Sequence, residues 1–315
     1  MKYLKPIALC VLLSGLIPLM AKSQCCAAGN PASAGMDLRS AKPGILRAGY
    51  TFRSSYASGY FEGDHKLPNA LLIDHAGFDY SEIMLAYSIL PRIEITAALG
   101  NFHRKAEYYN LENFKELVAK GIGDLNLQLR IVFWKDAVSR IQLIGICGVT
   151  IPVGVFDLVE NGVKFPVQLQ PSSGAVKYQT GLFAYKELPS FQMGLFAQFQ
   201  AEFAQKINSA NFNYHYGNYY AASLGSSLKV NKLLSAAIQV RGEIREMAER
   251  EGNHVIETTG SKVVFLSPQC TFRVWKSWTA SLVPMFPVYK YYNGVQLANN
   301  WSVALQLSGS VRIIK

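Results

Sequence analysis

The stretch from Asp124 to Phe133 constrains the fold of this chain more than any other. Apolar Leu125, Leu127, Leu129, Ile131 and Phe133 alternate there with Asp124, Asn126, Gln128 and Arg130. An extended chain places successive side chains on opposite faces, so one face is wholly apolar and the other carries amides and charges. A soluble sandwich uses such strands too. Repetition separates the two solutions: the alternation recurs along almost the whole chain, with long polar connections, behind a secretory-type leader. That combination predicts an all-β fold, a closed antiparallel transmembrane β-barrel of about twelve strands, with apolar side chains toward lipid and polar ones toward a lumen.

The leader begins with the basic run Met1-Lys2-Tyr3-Leu4-Lys5 and continues mostly apolar from Pro6 to Met20. Ala21-Lys22-Ser23 then places small residues at the third and first positions before a cut. This predicts a signal peptide over residues 1–23; a retained anchor is the alternative, although a span usually needs ~20 apolar residues. Residues 24–43 are small and polar and predict a flexible periplasmic leader; residues 44–315 make the barrel. Cys25 and Cys26 follow the cut, and Gln24 and Lys22 fit a lipidation signal poorly. Cys147 and Cys270 fall on apolar strand faces and serve as small hydrophobes. No cysteine spacing suits a metal or a disulfide framework.

Half of the residues are hydrophobic, yet no segment after the leader approaches a spanning helix, which leaves the barrel as the way through a membrane. The formal charge of +10 drops by three to +7 once Lys2, Lys5 and Lys22 leave with the signal. The remaining basic residues are spread singly over polar strand faces, so no nucleic acid is expected as a partner. The expected partners are outer-membrane lipid, the barrel insertion machinery and a small-molecule solute.

Connections give a second signal. Tight turns are predicted at Pro91, Asp136, Pro189, Asn231 and Lys276. Long loops are predicted at Ser58–Gly77, Tyr108–Lys120, Pro152–Ser173, Asn208–Asn218, Met247–Gly260 and Lys290–Gln296. Short and long alternate, as periplasmic turns and outer loops do. Trp134, Trp275 and Trp278 lie beside tight turns, and Tyr219, Tyr220, Tyr289, Tyr291 and Tyr292 near loop ends, the two depths of an aromatic girdle. Pro152, Pro268, Pro284 and Pro287 each remove a ladder donor. They mark kinks or strand ends, and a kink in the wall is one way to open a lateral exit.

Several segments resemble a known family. They are Cys25-Cys26, Gly121-Ile122-Gly123-Asp124-Leu125, Ile151-Pro152-Val153-Gly154, Leu169-Gln170-Pro171-Ser172-Ser173-Gly174, Ser267-Pro268, and the run Pro287 to Leu297. In order and spacing these are similar to the outer-membrane transporter family named after the meta-pathway of phenol degradation, in its Bacteroidetes-type form. Ser172, in place of a glycine, and Lys177, near a usual acid, depart from that pattern. The resemblance implies an outer-membrane barrel with a transport role and supplies no substrate.

The polar strand faces nominate the lumen-lining residues Arg47, Arg53, Glu82, Glu94, Asp124, Gln128, Arg130, Arg140, Glu202, Arg241, Glu243, Arg245, Arg273 and Arg312. Arg130, Arg140, Arg241 and Arg273 are expected to dominate the electrostatics. Small barrels fill their interior with side chains, so these residues form either a self-neutralising plug or a positive lumen favouring anionic or polar solutes. His65, His75, His103, His215 and His254 fall in or near outer loops without metal-ligand spacing. His103 is the strand-borne one, and no nucleophile is assigned to it, so catalysis is not expected. Gly121-Ile122-Gly123 precedes no helix and is not a nucleotide loop. No cofactor or metal is expected. The function expected is a passive channel or uptake transporter for polar-aromatic, hydrophobic or anionic small molecules; the alternatives are a plugged barrel acting through its outer loops and a membrane-embedded hydrolase.

Overall fold

The structure, a computed structural model, describes residues 43–68, 72–112, 116–160, 162–209, 212–251 and 254–313. The signal peptide, nearly all of the leader, and Cys25 and Cys26 lie outside the described residues.

The alternating segments become strands in chain order. These are β1 (Ile45–Gly63), β2 (Ile73–Leu90), β3 (Ile93–Tyr109), β4 (Glu116–Asp136) and β5 (Ile141–Ile151). They continue as β6 (Lys177–Leu188), β7 (Met193–Ala204), β8 (Tyr219–Lys229), β9 (Leu234–Arg245) and β10 (Ser261–Trp275). Trp278–Arg312 is one unbroken strand that crosses the wall twice. Its halves are β11 (278–292) and β12 (295–312), reversing at Gly294 with a left-handed φ of +59°. Each strand pairs antiparallel with its chain neighbour. β12 returns to β1 in a register running from Leu46 opposite Val311 to Tyr56 opposite Trp301. That last pairing closes the sheet.

Burial is inverted relative to a soluble protein. Ile83, Leu182 and Leu224 are 60%, 56% and 67% exposed, while Arg53, Gln239 and Arg241 are 4%, 4% and 3% exposed. Apolar side chains cover the outside and polar ones the inside, as a wall facing lipid requires. Trp134, Trp275, Tyr289 and Tyr291 are exposed on this outer surface. Tyr219 and Tyr292, expected in the same girdle, are instead buried. Tyr219 turns inward to accept a bond from Arg241.

All five expected tight turns are present. The β4–β5 turn forms because the Asp136 carboxylate accepts the backbone N–H groups of Val138 and Ser139, at 3.0 and 3.1 Å, and the Ser139 hydroxyl. These donors, the Ser139 hydroxyl foremost, hold the Asp136 carboxyl below its usual range. Asn231 Oδ1 likewise accepts Leu233 N–H and Leu234 N–H, both at 2.8 Å, the local side-chain turn that Asx residues favour. Arg140, expected on the wall of β5, sits in its turn with φ +54° and is exposed. The chain needs a left-handed residue there before β5 starts at Ile141.

The outer connections differ more. Lys290–Gln296, expected as a long loop, is a tight reversal, because Gln296 Nε2 donates to Asn293 O (2.7 Å) and Gly260 O (2.8 Å) and pins it. Ile207–Ser209, Phe212–His215, Ala248–Arg250 and His254–Ile256, in two of the expected loops, form a separate four-stranded sheet. In the wall, the β10–β11 ladder stops after Leu266–Phe286 and resumes in the same register at Cys270–Leu282. Pro268 and Pro284 stand opposite each other in that gap, and neither carries an N–H to donate.

Closure makes a direct prediction. Thr51 and Gln306 are ladder partners, and such partners lie ~4.5–5.5 Å apart between Cα atoms, within disulfide reach. With Cys25, Cys26, Cys147 and Cys270 replaced by Ser, the double variant Thr51→Cys/Gln306→Cys should cross-link on mild oxidation in folded protein. Failure to cross-link, with the protein still folded, would mean an open sheet.

Candidate functional site: the barrel interior

Two guanidiniums share one carboxylate on the inner wall near the short-turn end. Glu94 on β3 accepts from Arg130 Nη1 at 3.0 Å and from Arg47 Nη2, and also from the Ser88 hydroxyl at 3.2 Å. The ladder makes the meeting unavoidable: Glu94 and Arg130 are direct partners across β3 and β4. Such charges persist away from bulk water because each is paired and hydrogen-bonded. A second group lies on β8 and β9, where Arg241 donates to Glu243 (2.6 Å) and to the Tyr219 hydroxyl (2.8 Å). Arg245 sits over the Tyr219 ring at 5.1 Å. A third joins Gln128 to Gln179 (3.0 Å), Gln179 to Glu202 (3.2 Å), and Glu202 to Lys177 (3.3 Å).

Asp124 has a different role. It anchors the connection between β5 and β6, which turns inward instead of projecting outward. Ser172 Oγ donates to Asp124 at 2.6 Å, and Ser173 adds its backbone N–H and hydroxyl. Pro171 rests 3.4 Å from where a Cβ on Gly121 would lie, and Gly121 holds φ +146°. A Cβ on Gly154 would meet Ile122 O at 1.8 Å. The glycine-rich segments singled out in the sequence therefore touch one another. Lys105 Nζ donates to Gln170 O at 2.9 Å, while Phe165 and Leu169 pack on Ala119 of β4. Tyr216 closes the strap from the far side, its hydroxyl donating to Ser173 O at 2.8 Å. Burial, with Tyr214 and Asp124 nearby, holds the Tyr216 phenol well above its ordinary range, so it keeps the proton it donates.

Toward the short-turn end the interior opens into a cavity of about 510 Å³. Arg47, Glu82, Gln128, Arg130 and Arg273 line it. Ile146, Phe183, Tyr185 and Phe196 line it too. Phe183 belongs to a buried patch with Val132 and Ile144, and Ile146, Tyr185 and Phe196 pack against that patch. Sequence reasoning missed this patch, since it reserved inward positions for polar residues. The signal was present: Ile131-Val132-Phe133 and Ile144 break the alternation at the ends of β4 and β5.

The remaining nominated residues are dispersed. Arg53 is buried on the inner wall, Glu82 accepts from the Tyr80 hydroxyl at 3.3 Å, and Arg312 is exposed at the strand end opposite Ile45. On the outer face, His103 Nε2 lies 2.8 Å from Ser81 Oγ, a pairing that sequence spacing did not reveal. Beside it Arg104 donates to Asp79 at 3.0 Å. Among the described residues no cluster of three or more His, Cys, Asp or Glu side chains could hold a metal.

No protein-family model matches the sequence, and no curated protein sequence matches it. Solved structures do. A crystallised outer membrane channel from Pseudomonas putida F1 is 13% identical, with a TM-score of 0.72 over 87% of this chain and 98% of that one. A deltaS2S3 mutant of the TodX monoaromatic hydrocarbon channel is 8% identical, with a TM-score of 0.50 over 86% and 91%. At these identities the likeness is one of fold, and the fold is that of bacterial outer-membrane channels.

The Glu94 network yields a stability prediction. Glu94→Gln removes the charge that two buried guanidiniums share, and breaking a buried pair typically costs about 3–5 kcal/mol. The thermal midpoint of the folded barrel in detergent should fall clearly, and Glu94→Asp should fall less. The strap yields another. Asp124→Ala should expose residues 152–176 to limited proteolysis while the wall stays resistant; unchanged resistance would mean that Asp124 does not hold the strap.

Proposed function

We propose that the chain is a passive outer-membrane channel for small solutes, with a preference for anions. The observation that carries this reading is the cavity inside the barrel, lined by Arg47, Arg130, Lys229 and Arg273 against Glu82, with Glu94 paired to two of the arginines. A lumen with excess positive charge lowers the barrier for anions and raises it for cations. The fold likeness to the Pseudomonas putida channel supports the reading, as does the motif resemblance to the family named after the meta-pathway of phenol degradation. The insertion machinery for outer-membrane barrels is the partner this reading implies. It assigns no catalysis: the Ser81–His103 pair stands on the outer face, away from the cavity.

One observation favours a second reading, a barrel closed at rest. The strap clasped by Asp124 lies within the outer end of the lumen. The two readings separate in planar bilayers. The open channel gives stable single-channel currents whose reversal potential in a salt gradient shows anion preference. Arg273→Gln, at an exposed lining position, should lower that preference and leave the melting midpoint unchanged. A wild-type barrel that is silent while Asp124→Ala conducts would establish the closed state. Cation preference in the wild type would refute the proposal.

A further inference from the structure

We infer that the cavity binds a small organic carboxylate with an apolar body. The acid group lies among Arg47, Arg130, Lys229 and Arg273, and the body lies against Ile146, Phe183, Tyr185 and Phe196. This rests on the channel reading above and gives it a solute class.

Three features carry the inference. The first is size: about 510 Å³ falls within the range of small-molecule sites and suits one ring or a short chain with its hydration. The second is charge. The lining holds Arg47, Arg130, Lys229 and Arg273 against Glu82, and Glu94 bridges two of the arginines. Counting both acids, the cavity keeps a net charge of +2: Glu82 and Glu94 balance Arg47 and Arg130, and the excess is carried by Lys229 on β8 and Arg273 on β10. The third is the seam between unlike surfaces. Arg130 and Ile146 are direct ladder partners across β4 and β5. The charged wall of β1 to β4 therefore abuts the apolar wall of β5 to β7 without a gap.

Each surface alone is poorly matched to simpler solutes. A strongly hydrated inorganic anion gains nothing from Phe183 and Phe196. A neutral hydrocarbon gains nothing from the arginines and must displace their water. A carboxylate on an apolar body uses both: guanidinium groups match its planar head, and its body removes apolar wall from water.

Benzoate is the probe, with acetate lacking the body and benzyl alcohol lacking the charge. Equilibrium binding to the folded full-length barrel in detergent, by calorimetry, should show benzoate at least tenfold tighter than either. Arg273→Gln should weaken benzoate and leave benzyl alcohol unchanged. Ile146→Ser should weaken benzoate and leave acetate unchanged; Phe196→Ser tests the same wall should that variant fail to fold. Benzoate no tighter than acetate would overturn the inference, even if bilayer currents still show an anion channel. Benzoate binding by a barrel that never conducts would uphold this site and overturn the channel reading.

Discussion

Within a hydrocarbon layer no water is present to satisfy a backbone N–H or C=O, so a sheet that spans it cannot keep an edge. The pairing of β1 with β12 is the contact on which everything else here depends. It spans Leu46 to Tyr56 on one strand and Trp301 to Val311 on the other. Once the sheet is closed, the pleat sends every second side chain into an enclosed space. Polar residues there are cut off from lipid and must find one another. Glu94 with its two arginines, Arg241 with Glu243 and Tyr219, and the Gln128–Gln179–Glu202–Lys177 chain are three solutions to that demand.

The interior is not uniform along the barrel. At the outer end the strap between β5 and β6 occupies the lumen, held by Asp124 and by close backbone contact at Gly121 and Gly154. At the short-turn end the lumen widens into a cavity with one charged and one apolar wall. A solute moving inward meets a clasp first and a site of mixed character second. That order suits a selective pore better than a wide aqueous one.

How much of this was legible in the sequence follows from the physics of each element. Leu125 to Phe133 announced its two faces because the strand period is two and lipid tolerates no polar residue on one of them. Tight turns were legible because Asp136 and Asn231 bond their own backbone. Side-chain partners across strands were not, since Glu94 meets Arg130 only once register is set, and register is not written locally. The strap was hidden for a similar reason. Asp124 and Ser173 are each ordinary polar residues until the 152–176 segment folds inward and brings them together. Arg140 misled because it follows the strand parity, yet its backbone is needed in the turn. The apolar patch around Phe183 misled because an inward hydrophobe looks like an irregular strand.

The most direct test of the account is the environment of two adjacent residues in β4. Single nitroxide labels at Leu127→Cys and Gln128→Cys, in a background lacking Cys25, Cys26, Cys147 and Cys270, can be compared for collision with oxygen dissolved in lipid and with a water-soluble metal complex. The account predicts that the label at 127 collides with oxygen and the label at 128 with the aqueous reagent or with neither. Equal aqueous exposure at both positions, or the reverse assignment, would contradict the lipid-out, polar-in barrel from which the site and its function are derived.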